Sequence, residues 1–251
     1  MKVFTVNIGF FLKRSFFIVK VLTLVLLCII LFRFGTELLL NSKMYSQAVA
    51  DAVEMNTVII DAGHGGEDCG AIGISGVYEK DLNMQISSML GEMLTAEGYA
   101  VIYTRTTDKL LYSPEEDIYG IRKISDLKNR CKIGAEHPSA MFVSVHMNSF
   151  GSSKYSGLQV YYGTKNEKSA KLASAIQGSV KSTLQKDNNR TTKSGKDMYI
   201  LENLENPAVL IECGFISNEQ ECQKLSEKEY QKQLCFSIVC GIINSNKASD
   251  K

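Results

Sequence analysis

The stretch that most limits what this chain can fold into is residues 58–66, VIIDAGHGG. Val58, Ile59 and Ile60 are apolar and β-branched without alternation, the pattern of a strand covered on both faces. The run stops at Asp61, and Gly63, Gly65 and Gly66 then surround a single histidine, His64. Glycines remove side-chain bulk and open backbone angles closed to other residues. A buried strand therefore delivers an imidazole to an open mouth. In open α/β sheets the region past the carboxyl end of a strand is where sites form. A histidine there is a metal ligand, a proton-transfer group, or a loop residue bonded to its own turn. This stretch by itself leaves the three open.

The following residues supply the helices such a strand needs. Leu82, Ile86, Met89, Leu90, Met93 and Leu94 fall on one face of a helix over 79–97, and Gly98 stands where a glycine ends a helix. Residues 99–104 read as a strand, 105–120 as a polar loop over the site, and 122–135 as a helix. Residues 140–146, AMFVSVH, are a second buried strand, ending in His146. A strand over 158–162 precedes a helix over 166–185, a polar loop over 186–197 and a short strand over 198–201. Residues 207–212, PAVLIE, are a third apolar strand, ending in Glu212. Two closing helices carry capping-box spacing, Asn218 before Glu221 and Ser226 before Glu229. The expectation is one α/β domain over 57–246. Its sheet is twisted and mostly parallel or mixed, with helices on both faces.

Residues 15–34, SFFIVKVLTLVLLCIILFRF, are of another kind. Their uncharged centre is 21–32, and Lys20 and Arg33 can snorkel to the two interfaces. Lys13 and Arg14 in front place the amino terminus in the cytoplasm and the later chain outside. Residues 1–40 thus read as a signal anchor or a signal peptide, and 41–56 as a linker to an exported domain. The anchor is preferred, because the cleavage-like triplet Ala48-Val49-Ala50 lies far beyond the apolar core. Residues 51–251 hold 22 basic and 26 acidic groups, a net −4 with no basic stripe, which argues against a nucleic-acid partner. The seven cysteines form no C-x-x-C pair and no framework, so they read as free thiols filling apolar space. Cys69 and Cys213 lie near the site residues in sequence, and the same filler role accounts for them.

Three apolar strands end in His64, His146 and Glu212, and Glu79 opens a helix after the Gly-rich loop. In a mostly parallel sheet those strand ends converge. Two histidines and a carboxylate are the ligand types zinc takes when one position is left for water. No G-x-S-x-G elbow accompanies Ser144, no group orients Cys69 as a nucleophile, and no phosphate-binding loop occurs. His137 precedes Pro138 and reads as turn surface. Hydrolysis at zinc needs three ligands, an open position and a carboxylate base. His64, Glu79, His146 and Glu212 supply that number, and spacing leaves open which glutamate ligates.

With these motifs in order the chain resembles the zinc N-acetylmuramoyl-L-alanine amidases of the amidase-3 family. The resemblance is carried by IDAGHGGEDCGA, the Glu79 of YEKDLN, FVSVHMNS and PAVLIECGFISN. TRTTD (104–108), DLKNR (126–130), SGLQVYY (156–162) and KDMYILEN (196–203) add to it. It implies a Zn2+ site on His64, Glu79 and His146, with Glu212 as general base. It also implies cleavage between N-acetylmuramic acid and the L-alanine of the stem peptide. The short plan, without a blocking insert or wall-binding repeats, is similar to sporulation-type members that act on spore cortex and supply the substrate of muramic-δ-lactam formation. Such a member works in the intermembrane space of the developing spore. Its partners would be peptidoglycan and the membrane through the amino-terminal segment. A domain without repeats or a basic face, at net −4, further calls for an envelope protein that activates or positions it, or else for proximity supplied by residues 15–34. Asp61 is expected to accept a hydrogen bond from His64 and orient it, or else to close the turn. Asn148 is expected to contact substrate, or to be a turn residue. A zinc peptidase acting within the stem peptide and a non-catalytic wall-binding module are the alternative functions.

Overall fold

The computed structural model describes residues 8–118 and 120–247. Helix α1 spans Ile8–Met55, so residues 41–55, expected as a linker, are helical. Within α1, Leu22–Ser46 is long and apolar enough to cross a membrane, with a mean hydropathy of 2.1 and no buried part.

The second unit, Val53–Lys251, is built on one six-stranded sheet. The strands are β1 (Thr57–Ala62), β2 (Ala100–Tyr103), β3 (Met141–Asn148), β4 (Gln159–Tyr162), β5 (Lys193–Ser194) and β6 (Ala208–Phe215). Their spatial order is β2-β1-β3-β6-β4-β5. All neighbours are parallel except β4 and β6, which run antiparallel. The sheet is therefore mixed and mostly parallel, with its three most apolar strands side by side at the centre.

Side chains alternate across a strand. Val58, Ile60, Val143, Val145, Val209 and Ile211 face a large core closed by α2 (Glu79–Ala96), α4 (Lys168–Thr183) and α7 (Lys228–Lys247). Leu82, Ile86, Leu90 and Leu94 of α2 are fully buried there, each worth roughly 1.5–3 kcal/mol of apolar burial. Ile59, Phe142 and Leu210 face a smaller core under α3 (Arg122–Glu136) and α5 (Tyr199–Asn203). On this second face the next residues along each strand are Asp61, Ser144, His146 and Glu212. The register pairs Asp61 with Ser144 and His146 with Glu212.

Three local expectations change. Residues 198–201 are not a strand: Tyr199–Asn203 is helix α5, which seats Ile200 and Leu201 on the smaller core along with Leu204. A four-residue apolar run fits either period, and the packing partner decided it. The fifth strand is instead Lys193–Ser194, inside the stretch read as a polar loop. Before α6 (Glu219–Ser226), Asn218 caps as expected, accepting from Glu221 N. Ser226 does not cap α7; its hydroxyl donates back to Cys222 O.

Candidate metal centre

His64 leaves β1 in the left-handed region, with φ 62°, an angle uncommon outside glycine. That turn points its ring away from the strand and toward α2. Its Nδ1 lies 2.8 Å from Asp68 Oδ2, and its Nε2 lies 3.2 Å from Glu79 Oε1. His146, from β3, places Nδ1 2.9 Å from the same Glu79 oxygen. The two imidazoles meet edge to face, centroids 4.9 Å apart. Glu79, in the first turn of α2, is held by backbone: Met147 N donates to Oε1 and Ala71 N to Oε2. One donor atom from each of His64, Glu79 and His146 lies within 4.8 Å of the others.

Two glycines keep this space open. A Cβ on Gly63 would sit 2.2 Å from His146 Nε2, and one on Gly70 would sit 2.6 Å from Glu79 Oε2. Two imidazoles and a carboxylate, kept clear of neighbouring side chains, fit a metal of zinc's donor preference. Cys69 and Cys213 take no part in this group: Cys69 Sγ donates to Gly70 O, and Cys213 is buried in the larger core.

Glu212, one strand beyond His146, has a buried Oε2 with no hydrogen-bond partner. Burial pushes its carboxyl up to about 7; Glu79 adds to this, and His146 and His64 oppose it. A carboxyl near neutrality is suited to taking and returning a proton. Burial disfavours the charged His64, but its hydrogen bonds to Asp68 and Glu79 outweigh this and raise it to about 9. Against their burial, His64 holds Asp68 below the ordinary carboxyl range, and His146 together with His64 does the same for Glu79. Metal and protons thus compete for the His64 imidazole.

Asp61 does not orient His64. Its side chain points beneath the sheet edge, where Ser144 donates to Oδ2 and Thr104 and Arg130 donate to Oδ1. The acceptor beside His64 is Asp68, four residues on, which is also 3.2 Å from Lys123. Asp61 acts on the loop through Arg130, whose guanidinium also donates to Ala62 O and His64 O. Arg105 closes the other side, donating to Ala62 O and Gly63 O. Two buried arginines therefore clamp the carbonyls of residues 62–64. Sequence reasoning assigned them no role, although TRTTD and DLKNR contain them. Asn148 ends β3 half-buried, paired with Phe215.

Burial by itself would raise the Asp61 carboxyl; the Arg130 charge and the hydroxyls of Ser144 and Thr104 hold it below its usual value. An Arg130→Ala chain leaves that carboxylate buried without its cation. The expected loss is about 3–5 kcal/mol of stability at neutral pH, read as a lower urea midpoint. Because the folded pKa of Asp61 is depressed, the pair's contribution is complete above the unfolded value of about 4. It is lost as pH falls through the folded value. The gap between variant and parent therefore narrows in acid; a gap that stays constant with pH would mean another interaction was lost.

The family model of N-acetylmuramoyl-L-alanine amidases, Amidase_3, matches residues 58–244. The chain belongs to this amidase family. The germination-specific N-acetylmuramoyl-L-alanine amidase of Bacillus subtilis (strain 168) is 33% identical to it over 186 residues, covering 74% of this chain and 78% of that one. The structure of the CwlD amidase from Clostridioides difficile, in complex with the GerS lipoprotein, superposes with a TM-score of 0.73 at 40% identity. It covers 76% of this chain and 98% of that one. AmiC2 of Nostoc punctiforme, an N-acetylmuramoyl-L-alanine amidase, gives a TM-score of 0.66 at 28% identity over 76% of this chain and 97% of that one. The family is generally metal-dependent, and the amidase has a His64–Glu79–His146 group able to hold an ion.

Proposed function

We propose that the amidase cuts the lactyl amide of peptidoglycan with zinc on His64, Glu79 and His146 and with Glu212 as general base. The observation that carries this reading is the meeting of those three donors within 4.8 Å, beside a carboxylate oxygen buried without a partner. A bound zinc supplies a Lewis acid that makes water acidic and polarises a carbonyl. Glu212 takes the water's proton and returns it to the departing alanine nitrogen, the two-way role of a general acid–base group. Asp68 holds His64 in the tautomer that leaves Nε2 free for the metal. Asn148, near His146 at the end of β3, meets the substrate beside the scissile bond.

The biological setting is spore cortex, where removal of the stem peptide leaves the muramic acid used for muramic-δ-lactam. The germination-specific relative supports this. Residues 1–40 serve as signal anchor or signal peptide, and residues 57–246 as the exported catalytic domain in the intermembrane space of the developing spore. An envelope protein that activates or positions the enzyme fits this setting; the relative solved with a lipoprotein supports it.

Mass spectrometry of muropeptides digested with the full chain tests the reaction. The expected products are peptides with a free amino-terminal L-alanine, absent after chelation and restored by zinc. Cuts inside the stem peptide would establish the zinc peptidase instead. Intact muropeptides that stay bound would establish a wall-binding module.

A further inference from the structure

Past the amino end of β4 and the carboxyl end of β6 lies a cavity of about 620 Å³ that the amide chemistry leaves unused. Lys154, Lys186, Arg190 and Lys224 line it, against Asp187 and Glu221. Glu221 is already engaged: its oxygens accept from Gly157 N and Phe215 N. The recess is thus positive, on a stretch of chain (51–251) whose charges sum to −4.

Arg190 ties the recess to β4, the strand beside the one that carries Glu212. Its Nη1 donates to Gln159 Oε1 at 3.1 Å, and Gln159 is the register partner of Glu212. Directly opposed residues share a face of the sheet, one strand spacing of about 4.8 Å apart. The Gln159 carboxamide therefore ties Arg190 to the strand position that flanks Glu212. Its Nε donates to Ser156 O, and its carbon lies 4.4 Å from the Phe215 ring centroid. These hydrogen-bond partners are neutral, Nη2 has no acceptor among the described residues, and the one carboxylate the charge acts on, Glu221, is already engaged by backbone N–H groups. A guanidinium braced on two sides with one edge free is built to take a carboxylate.

We infer that this recess is a subsite for a free carboxylate of the stem peptide, with Arg190 as the contact and Lys186 and Lys224 supplying the field. This rests on the amidase reading, since the carboxylates belong to the peptide beyond the scissile L-alanine. The subsite draws the leaving peptide across β4 and lays the amide over Glu212.

Equilibrium binding to the full chain in detergent tests it, using a synthetic stem tripeptide with free carboxylates and its carboxamide twin. The acid form binds the parent about tenfold more tightly, the scale of one charge-assisted hydrogen-bonded contact. Arg190→Gln removes the preference, and Arg190→Lys restores part of it. The Lys186→Gln, Lys224→Gln double variant changes two exposed side chains, so it folds, and it narrows the preference. Equal affinity of the parent for both peptides would overturn the inference. So would an equal loss for both in Arg190→Gln, which would make Arg190 a brace for β4, or a preference untouched by the lysine pair. Failure of the amidase reading shows elsewhere: zinc-loaded parent would release no peptide from muramoyl peptides while the carboxylate preference stood.

Discussion

Glu212→Gln lowers turnover by about 10²–10⁴-fold, the usual contribution of a general acid–base group, and leaves metal content unchanged. The amide keeps the shape of the side chain at the end of β6 but cannot accept a proton. Glu212 makes no hydrogen bond through Oε2, so the substitution breaks nothing there that the fold uses. The measurement pairs kcat on a soluble muropeptide with metal content after dialysis. Loss of metal in this variant would make Glu212 a ligand and leave Glu79 as the candidate base.

Glu79→Gln loses metal. An uncharged amide is a poor ligand, and the affinity falls by more than the roughly 10–100-fold that follows loss of an outer hydrogen bond to a ligand. Asp68→Asn supplies that smaller value in the same protein, because Asp68 touches His64 and no other member of the trio. A competition titration with a zinc chelator ranks the two variants. Equal affinities would place Glu79 outside the ligand set, as a carboxylate that only braces His64, His146 and the backbone N–H groups of Ala71 and Met147.

The three central strands and the residues at their ends were legible because each is an apolar run closed by one reactive side chain. VII, FVSV and AVLI are short, largely apolar runs of the kind carried by strands covered on both faces. What holds the site together was harder to see. Arg105 and Arg130 act on carbonyls about 40 and 70 positions away in the chain, and periodicity carries no information about a side chain that reaches a backbone oxygen. Asp61 was misplaced for the same reason. Proximity to His64 suggested a contact, whereas alternation along β1 turns the carboxylate under the sheet edge toward Ser144. The helix at Tyr199–Asn203 was misread because its few apolar residues suit either period until the core beneath them is known.

The strand order has a consequence for when the protein becomes dangerous to its own wall. β6 is the last strand to be synthesised, yet it lies between β3 and β4, and β4 and β5 join the rest of the sheet through it. Until it slots in, the sheet is two separate pieces, and closing it depends on pairings between distant parts of the chain, the slow kind. His64, Glu79 and His146 all precede that strand, so a half-made chain already contains the three proposed ligands. Glu212 arrives with the closing strand itself. On the proposed roles, an unfinished or truncated chain would carry the metal ligands without the proton acceptor, and hydrolysis would start only when the sheet is whole.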